Sequence, residues 1–224
     1  MEHWRGMRAE TRGLRSLVLV ALGVMALALG AAPSSQGSLD DRVQAILEGH
    51  RGRWHDLNVP YEDGKALYDL IVAKGFTRGL EIGTSSGHST IWIAWAMSKT
   101  GGKLVTIEID PQRRATALRN LADAGLTAYV DSRLADAHAL VRQLPGPFDF
   151  VFSDADKDWY TQYFKDVEGK LAPGACFTAH NVLNGFTGTQ AFMDYVRARP
   201  GFTTRIVRAS PSGISVTCRN AETR

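Results

Sequence analysis

Leu80-Glu81-Ile82-Gly83-Thr84-Ser85-Ser86-Gly87-His88-Ser89-Thr90 is the stretch that decides the fold of this chain: an apolar strand, a turn of small residues and the start of a helix. Gly83 and Gly87 carry no Cβ, so the turn lets a ligand approach the backbone closely. Glu81 at the strand end opposes a phosphate, which a P-loop binds through backbone N–H groups and a lysine. The stretch therefore predicts a site for a cationic or zwitterionic ligand that carries a ribose.

Strands and helices alternate around this stretch. We predict strands at 79–83, 103–109, 127–131, 148–153 and 175–180, and helices near 39–55, 62–74, 88–99, 111–124, 136–144, 158–170 and 188–199. Two of the strands are apolar enough for burial on both faces, which is typical of a parallel sheet with helices on each side. Residues 202–209 and 214–219 form a predicted hairpin, so the last strand is antiparallel. The predicted fold class is α/β, with a seven-stranded, mostly parallel sheet.

Composition and charge exclude some classes of function. The chain has 224 residues, 44% hydrophobic and 22% charged, which suits one globular domain with an appendage. The net charge of +3 depends on a basic N-terminal segment, and the rest of the chain has a net charge near zero, so we expect no nucleic-acid partner. Cys176 and Cys218 lie in apolar, strand-like runs and are predicted to be buried free thiols.

The N-terminus has the layout of an export signal. Basic residues precede an apolar run at 17–29, and small residues follow it, with a predicted cleavage after Ala32. The predicted domains are a signal peptide or signal-anchor at 1–32, a linker at 33–38 and one domain at 39–224. We expect an exported or membrane-anchored protein, or a cytoplasmic one if the true start is Met25 or later.

Polar residues follow the predicted strands, and the carboxyl ends of parallel strands share one edge of a sheet. A carboxylate at Glu108 can accept both hydroxyls of a ribose. The cluster Ser153-Asp154-Ala155-Asp156-Lys157 follows the apolar run Phe150-Val151-Phe152. Its oxygens suit Mg²⁺, and a lysine beside them can take a proton if burial or a metal lowers its pKa.

These motifs resemble the class I S-adenosylmethionine-dependent O-methyltransferases of the cation-dependent catechol and caffeoyl-CoA type. The resemblance covers roughly residues 40–220 and rests on the 80–89 turn, on Glu108 and on the 152–160 stretch. It implies a Rossmann-like fold, a homodimer and a small, catechol-like aromatic hydroxyl substrate. It also implies Lys157 as general base, a divalent metal on Asp154 and Asn181, and S-adenosylmethionine contacts from Val59, Glu81, Gly83, Ser85, Ser89, Glu108, Asp136, Ala137 and Asp156.

One residue departs from the family pattern. The family has Asp-Asn after the fifth strand, whereas this chain has His180-Asn181. Imidazole favours softer ions such as Zn or Fe over Mg, with Mn tolerated. Three interpretations are open: a divalent metal bound by Asp154, His180 and Asn181, a metal-free site with His180 as a second catalytic base, or a site that binds the cofactor but has lost catalysis. A different class of function is also open, namely an exported binding protein for a nucleoside-type metabolite.

Overall fold

The computed structural model describes residues 37–54 and 57–221. The predicted signal or anchor, and most of the predicted linker, lie outside the described residues. The chain divides into residues 1–36 and a unit of residues 37–224. Within the described part of the chain, no helix is both long and apolar enough to span a membrane.

Seven α-helices and seven strands make up the described unit, and they alternate from β1 to α7. The helices are α1 (Leu39–Gly49), α2 (Tyr61–Lys74), α3 (His88–Thr100), α4 (Pro111–Asp123), α5 (Ala137–Gln143), α6 (Tyr160–Glu168) and α7 (Thr187–Arg197). The strands are β1 (Arg78–Ile82), β2 (Lys103–Glu108), β3 (Val130–Leu134), β4 (Phe148–Ser153), β5 (Leu171–Ala179), β6 (Phe202–Val207) and β7 (Ile214–Arg219).

The strands form one sheet in the order β3-β2-β1-β4-β5-β7-β6. Strands β1 to β5 pair in parallel, and β7 pairs antiparallel with both β5 and β6. This confirms the predicted sheet and its antiparallel last strand. The predicted strand at 127–131 was wrong, because 127–129 form a short 3₁₀ turn and β3 begins at Val130. The strand β3 lies at the sheet edge with a largely exposed surface, so no apolar run marks it in the sequence.

The sheet buries both of its faces under helices. Leu80 and Val151 belong to a fully buried cluster with side chains of α5, α6 and α7. Phe150 and Phe152 point to the other face and join side chains of α2 and α3. Because successive strand residues point to opposite faces, the apolar run 150–152 supplies both cores from a single strand.

A glycine sets the distance between α2 and α3. A Cβ at Gly64 would lie 2.1 Å from Cδ1 of Trp92, so a larger residue would push the two helices apart. The close approach keeps the first turn of α2, with Asp63, against the carboxyl edge of the sheet. Packing between these two helices therefore helps to form the site described below.

Cys176 and Cys218 form a disulfide, so the prediction of free thiols was wrong. The residues are 42 apart in sequence, but Cys176 on β5 is the direct partner of Cys218 on β7 in the antiparallel register. Side chains of directly opposed residues lie on the same face of a sheet. The pairing depends on the order of the strands, which the sequence around each cysteine does not reveal.

Reduction of this disulfide is expected to destabilise the protein. Closing a loop of this length restricts the unfolded chain, which corresponds to at most about 4 kcal/mol of unfolding free energy. Urea unfolding with and without dithiothreitol measures the loss. The double variant Cys176→Ser/Cys218→Ser is the control, because its stability should not respond to dithiothreitol. Alkylation of two thiols per chain in unreduced protein would contradict the disulfide.

Candidate active site

The strand register brings the functional residues together. Ile82 pairs with Ser153, and Ser153 pairs with Ala179, so β1, β4 and β5 end at the same level. Ile82 also pairs with Ile107 of β2. The residues that follow these ends therefore emerge side by side at one edge of the sheet, and they include Gly83, Glu108, Asp154 and His180.

A cavity of about 540 Å³ opens at this edge. Most of the residues predicted for the site line it, namely Gly83, Ser85, Ser89, Glu108, Asp136, Ala137, Asp154, Asp156, Lys157, His180 and Asn181. Val59 and Glu81 are buried and do not line the cavity. The contacts of each residue with a cofactor stay predictions, but the structure places nearly the whole predicted set around one space.

Glu81 lies beneath the turn. Its carboxylate is fully buried and accepts hydrogen bonds from Ser89 Oγ at 2.7 Å, Thr90 Oγ1 at 2.6 Å and Thr106 Oγ1 at 2.6 Å. Burial raises the pKa of Glu81 to about 7, and the three hydroxyl donors partly oppose that rise. The side chain ties β1 to the first turn of α3 and to β2, so its clearest role is to hold the turn in place.

Glu108 holds the same turn from the other side. Its carboxylate accepts hydrogen bonds from the backbone N–H of Ser85 at 2.7 Å and of Ile109 and Asp110 at 3.0 and 2.9 Å. Each carboxylate oxygen has more than one acceptor position, so the side chain can also face a ligand in the cavity. The predicted ribose contact of Glu108 stays a prediction.

Backbone strain is concentrated around the cavity. Among the described residues other than glycine, positive φ angles occur at Leu57 (62°), Ser85 (49°) and Asn181 (59°), and all three line the cavity. Such conformations are costly for residues with a Cβ and persist where the surrounding structure enforces them. Gly83 has a φ of 100°, and a Cβ there would lie 3.0 Å from the backbone of Asp154. The turn after β1 and the loop after β4 are thus held in close contact.

A network of charged side chains forms one wall of the cavity. Lys157 Nζ lies 2.6 Å from Asp154 Oδ1 and also donates to the backbone oxygens of residues 154 and 155. His180 Nδ1 lies 3.3 Å from Asp154 Oδ2, and His180 Nε2 lies 2.8 Å from Asp63 Oδ2. Burial by itself lowers the pKa of His180, but hydrogen bonds and charges from Asp154 and Asp63 outweigh it and raise the pKa to about 9.

The donor atoms of this network do not fit a divalent metal. The resemblance implies a metal on Asp154 and Asn181, and His180 completes the predicted ligand set. Both carboxylate oxygens of Asp154 contact cationic side chains, and both ring nitrogens of His180 face carboxylates. A histidine ligates a metal through a nitrogen lone pair, which is not free here. In the described part of the chain, no group of three or more His, Cys, Asp or Glu side chains is arranged to hold a metal ion.

Sequence reasoning missed Asp63. We predicted only that Glu62-Asp63-Gly64 begins a helix, whereas Asp63 is fully buried and contacts His180. A signal was present, because Asp63 precedes Leu67 by four residues and Ile71 by eight, which places it on the buried face of α2. A carboxylate on an apolar face requires a partner.

The segment before α2 is anchored to the turn. Asn58 Nδ2 donates to Ser86 Oγ at 2.7 Å, and its Oδ1 accepts from the backbone N–H of His88 at 3.3 Å. The His88 ring faces the carbonyl oxygen of Val59 through Nδ1 at 2.8 Å, and its Nε2 accepts from Trp92 Nε1 at 3.2 Å. A carbonyl only accepts, so Nδ1 carries the proton and His88 is neutral.

Comparison with known proteins agrees with this geometry. A family model described as O-methyltransferase matches residues 39–195, so the chain belongs to that family. A catechol O-methyltransferase from Niastella koreensis is 44% identical over 131 residues, which is 57% of this chain and 59% of that protein. A catechol O-methyltransferase from Mycobacterium tuberculosis is 37% identical over 128 residues, 57% of this chain and 58% of its own length. The match thus spans less than two thirds of either relative.

Solved structures match over more of the chain. The O-methyltransferase TomG from Streptomyces achromogenes, solved with SAM, has 28% identity and a TM-score of 0.70, covering 81% of this chain and 91% of its own. An O-methyltransferase from Bacillus cereus, solved with SAH, has 26% identity and a TM-score of 0.69, covering 84% and 94%. The predicted family and the Rossmann-like methyltransferase fold are confirmed.

Acid is expected to weaken the contact between His88 and the segment that precedes α2. Burial lowers the pKa of His88 to about 4, against an ordinary value of 6.5. As the pH falls below 6.5, His88 therefore takes up a proton in the unfolded chain before it does so in the folded protein. The free energy of unfolding then falls as the pH drops toward 4, by at most about 3 kcal/mol. Urea unfolding between pH 7.5 and 4.5 measures this loss. His88→Asn should show a shallower pH dependence, and equal slopes for both proteins would contradict the assignment.

Proposed function

We propose that this member of the O-methyltransferase family transfers the methyl group of S-adenosylmethionine to a hydroxyl of a small, catechol-like aromatic. The observation that carries the proposal is the cavity at the carboxyl edge, which joins the 83–89 turn, Glu108 and the Asp154–Lys157 pair in one space. The cofactors named for the TomG and Bacillus cereus structures, and the substrate class named for the two catechol O-methyltransferases, support it.

In this proposal the cofactor lies between the turn and β2. Gly83 lines the cavity, so the methionine end of the ligand can approach the backbone of the turn there, and Glu108 accepts the ribose hydroxyls. Asp136 caps α5 through the backbone N–H of His138 at 2.9 Å, which fixes the far wall. Ala137 and Ile109 give that wall the apolar surface that an adenine ring requires.

The proposed reaction is an in-line displacement. The acceptor oxygen forms a bond to the methyl carbon while the carbon–sulfur bond breaks, and S-adenosylhomocysteine leaves as a neutral thioether. The sulfonium is already activated, so the protein contributes mainly by positioning the two partners. The acceptor hydroxyl must lose its proton, and we assign that proton to the amine of Lys157, which acts after the ammonium group paired with Asp154 has released its own proton to solvent. Asp154, 2.6 Å away, then stabilises the ammonium group that forms.

Apolar side chains at the cavity support an aromatic acceptor. Leu57 and Phe186 both line the cavity, and their exposed fractions are 76% and 46%. Exposed apolar groups at the mouth of a cavity are typical of a site whose ligand covers them. No step of the proposed reaction runs through a divalent metal, because both ring nitrogens of His180 face carboxylates and leave it no lone pair for a metal.

A second candidate function is favoured by the disulfide. Disulfides persist mainly in oxidising compartments, so the Cys176–Cys218 bond supports the proposal that the chain is exported or anchored outside the cytosol. S-adenosylmethionine is made in the cytosol, and an exported chain could instead bind a nucleoside-type metabolite without chemistry. Fractionation of tagged full-length protein, combined with calorimetry against S-adenosylmethionine, separates the two functions. Methyl transfer together with a cytosolic location would reject the second function.

The predicted homodimer and membrane association stay predictions.

Loss of the Lys157 amine is expected to stop methyl transfer. Lys157→Met should lower kcat by about 10²- to 10⁴-fold, since that is the usual contribution of a general base. Lys157→Arg is the matched control, because an arginine keeps the charge but does not lose its proton in a protein. Transfer of the labelled methyl group to catechol measures both. Near-normal activity of Lys157→Arg would assign Lys157 an electrostatic role in place of proton transfer.

Glu108→Gln is expected to weaken cofactor binding by about 10- to 100-fold. The amide cannot accept two hydroxyls together with the backbone N–H groups, and hydrogen bonds to a charged group contribute about 1.5–3 kcal/mol. Calorimetric titration with S-adenosylmethionine measures the change. Asp110→Asn is a suitable control, because Asp110 caps α4 through the backbone N–H groups of residues 112 and 113. Unchanged affinity in Glu108→Gln would remove Glu108 from the cofactor site.

A further inference from the structure

The charged network at the cavity wall continues beyond the side chains that the proposed reaction uses. Ser210, in the turn between β6 and β7, donates through Oγ to Asp63 Oδ2. Asp63 contacts His180, which contacts Asp154, which contacts Lys157. A continuous chain of polar contacts thus joins the C-terminal hairpin to the proposed base.

We propose that His180, held between Asp63 and Asp154, fills the position in which a cation-dependent relative of this chain would bind its metal, so that methyl transfer here needs no divalent metal. This inference rests on the proposed function and assigns Asp63 and His180 as positioning residues. Asp63 fixes the ring, the ring fixes Oδ2 of Asp154, and Asp154 in turn orients the amine of Lys157.

Hydrogen-bond chemistry supports this assignment. Carboxylate oxygens only accept, so the two ring nitrogens of His180, each facing a carboxylate, both donate. The exposed fractions of the His180 and Asp63 side chains are 4% and 0%. Buried carboxylates require cationic or hydrogen-bonding partners, and the ring supplies them to two carboxylates at once. With both nitrogens donating, His180 offers a metal no lone pair, and a cation at Asp154 would lie against the ring of His180 and the amine of Lys157.

Charge balance leads to the same conclusion. With both ring nitrogens donating, the network contains two carboxylates, one imidazolium and one ammonium, whose charges cancel. A divalent cation added to this set would leave it with two uncompensated positive charges in a buried setting, which is costly. Replacing His180 with aspartate would instead give three carboxylates and one ammonium, the net charge that a divalent cation neutralises. Carboxylate and amide oxygens from positions 154, 180 and 181 would then be suitable ligands for Mn²⁺ or Mg²⁺.

The test is a metal titration of the full-length chain that does not depend on activity. Mn²⁺ and Zn²⁺ are titrated by calorimetry into the wild type, Asp154→Asn and His180→Asp, and thermal unfolding is followed with and without Mn²⁺. We expect the wild type and Asp154→Asn to behave alike in both titrations. We expect His180→Asp to gain one Mn²⁺ per chain and a higher unfolding temperature in its presence, and His180→Asp/Asp154→Asn to lose both gains.

His180→Asp places three carboxylates together and could fold poorly, so a second variant is needed to test the inference in that case. Asp63→Asn/His180→Asp removes one of these charges and should fold better, as far-UV circular dichroism reports, while keeping the gain of Mn²⁺. Metal binding by the wild type that Asp154→Asn abolishes would overturn the inference, as would two folded aspartate variants that both fail to gain Mn²⁺.

Activity gives a separate readout. We expect methyl transfer by the wild type to be unchanged in EDTA, and a loss in EDTA that added Mn²⁺ or Zn²⁺ restores would also overturn the inference. If the wild type transfers no methyl group under any condition, the proposed function fails, and the titration still decides whether His180 excludes a metal.

Discussion

The parallel pairing of β1, β4 and β5 in one register is the constraint on which the site depends. Ile82, Ser153 and Ala179 lie level in the sheet, so the residues that follow them must emerge together. Apolar residues on both faces of β4 pack into the two cores and hold this strand between β1 and β5. The core therefore positions Asp154 and His180 next to each other before either contributes any chemistry.

Burial then determines how these charged groups are used. Glu81 is surrounded by three hydroxyl donors, and its carboxylate stabilises the turn from below. Asp63 and Asp154 are neutralised by His180 and Lys157, since buried carboxylates without partners would be destabilising. The same residue types that suggest a metal site in the sequence form a charged network in the structure, because both ring nitrogens of His180 face carboxylates and both oxygens of Asp154 face cationic side chains.

Local patterns predicted much of the fold. The apolar strand at 148–153 and the hairpin strand at 214–219 were placed correctly, and the 80–90 stretch forms a strand, turn and helix as predicted. The strand at 127–131 was displaced because an edge strand has no apolar run. The disulfide and the contact between Asp63 and His180 join residues 42 and 117 positions apart, and a local pattern contains no information about such pairs.

The sequence by itself determined the α/β sheet, because strand ends and glycine turns are local features that one segment encodes. Its resemblance to the O-methyltransferases supplied the family and nearly the whole set of residues around the cavity. Only the tertiary structure decided what those residues contact. It buried Glu81 and Val59 away from the cavity lining, joined Cys176 to Cys218, and set a buried Asp63 against His180. The physical reason is that hydrogen bonds and charge pairs depend on distances in space, which sheet order and helix packing set across the whole chain.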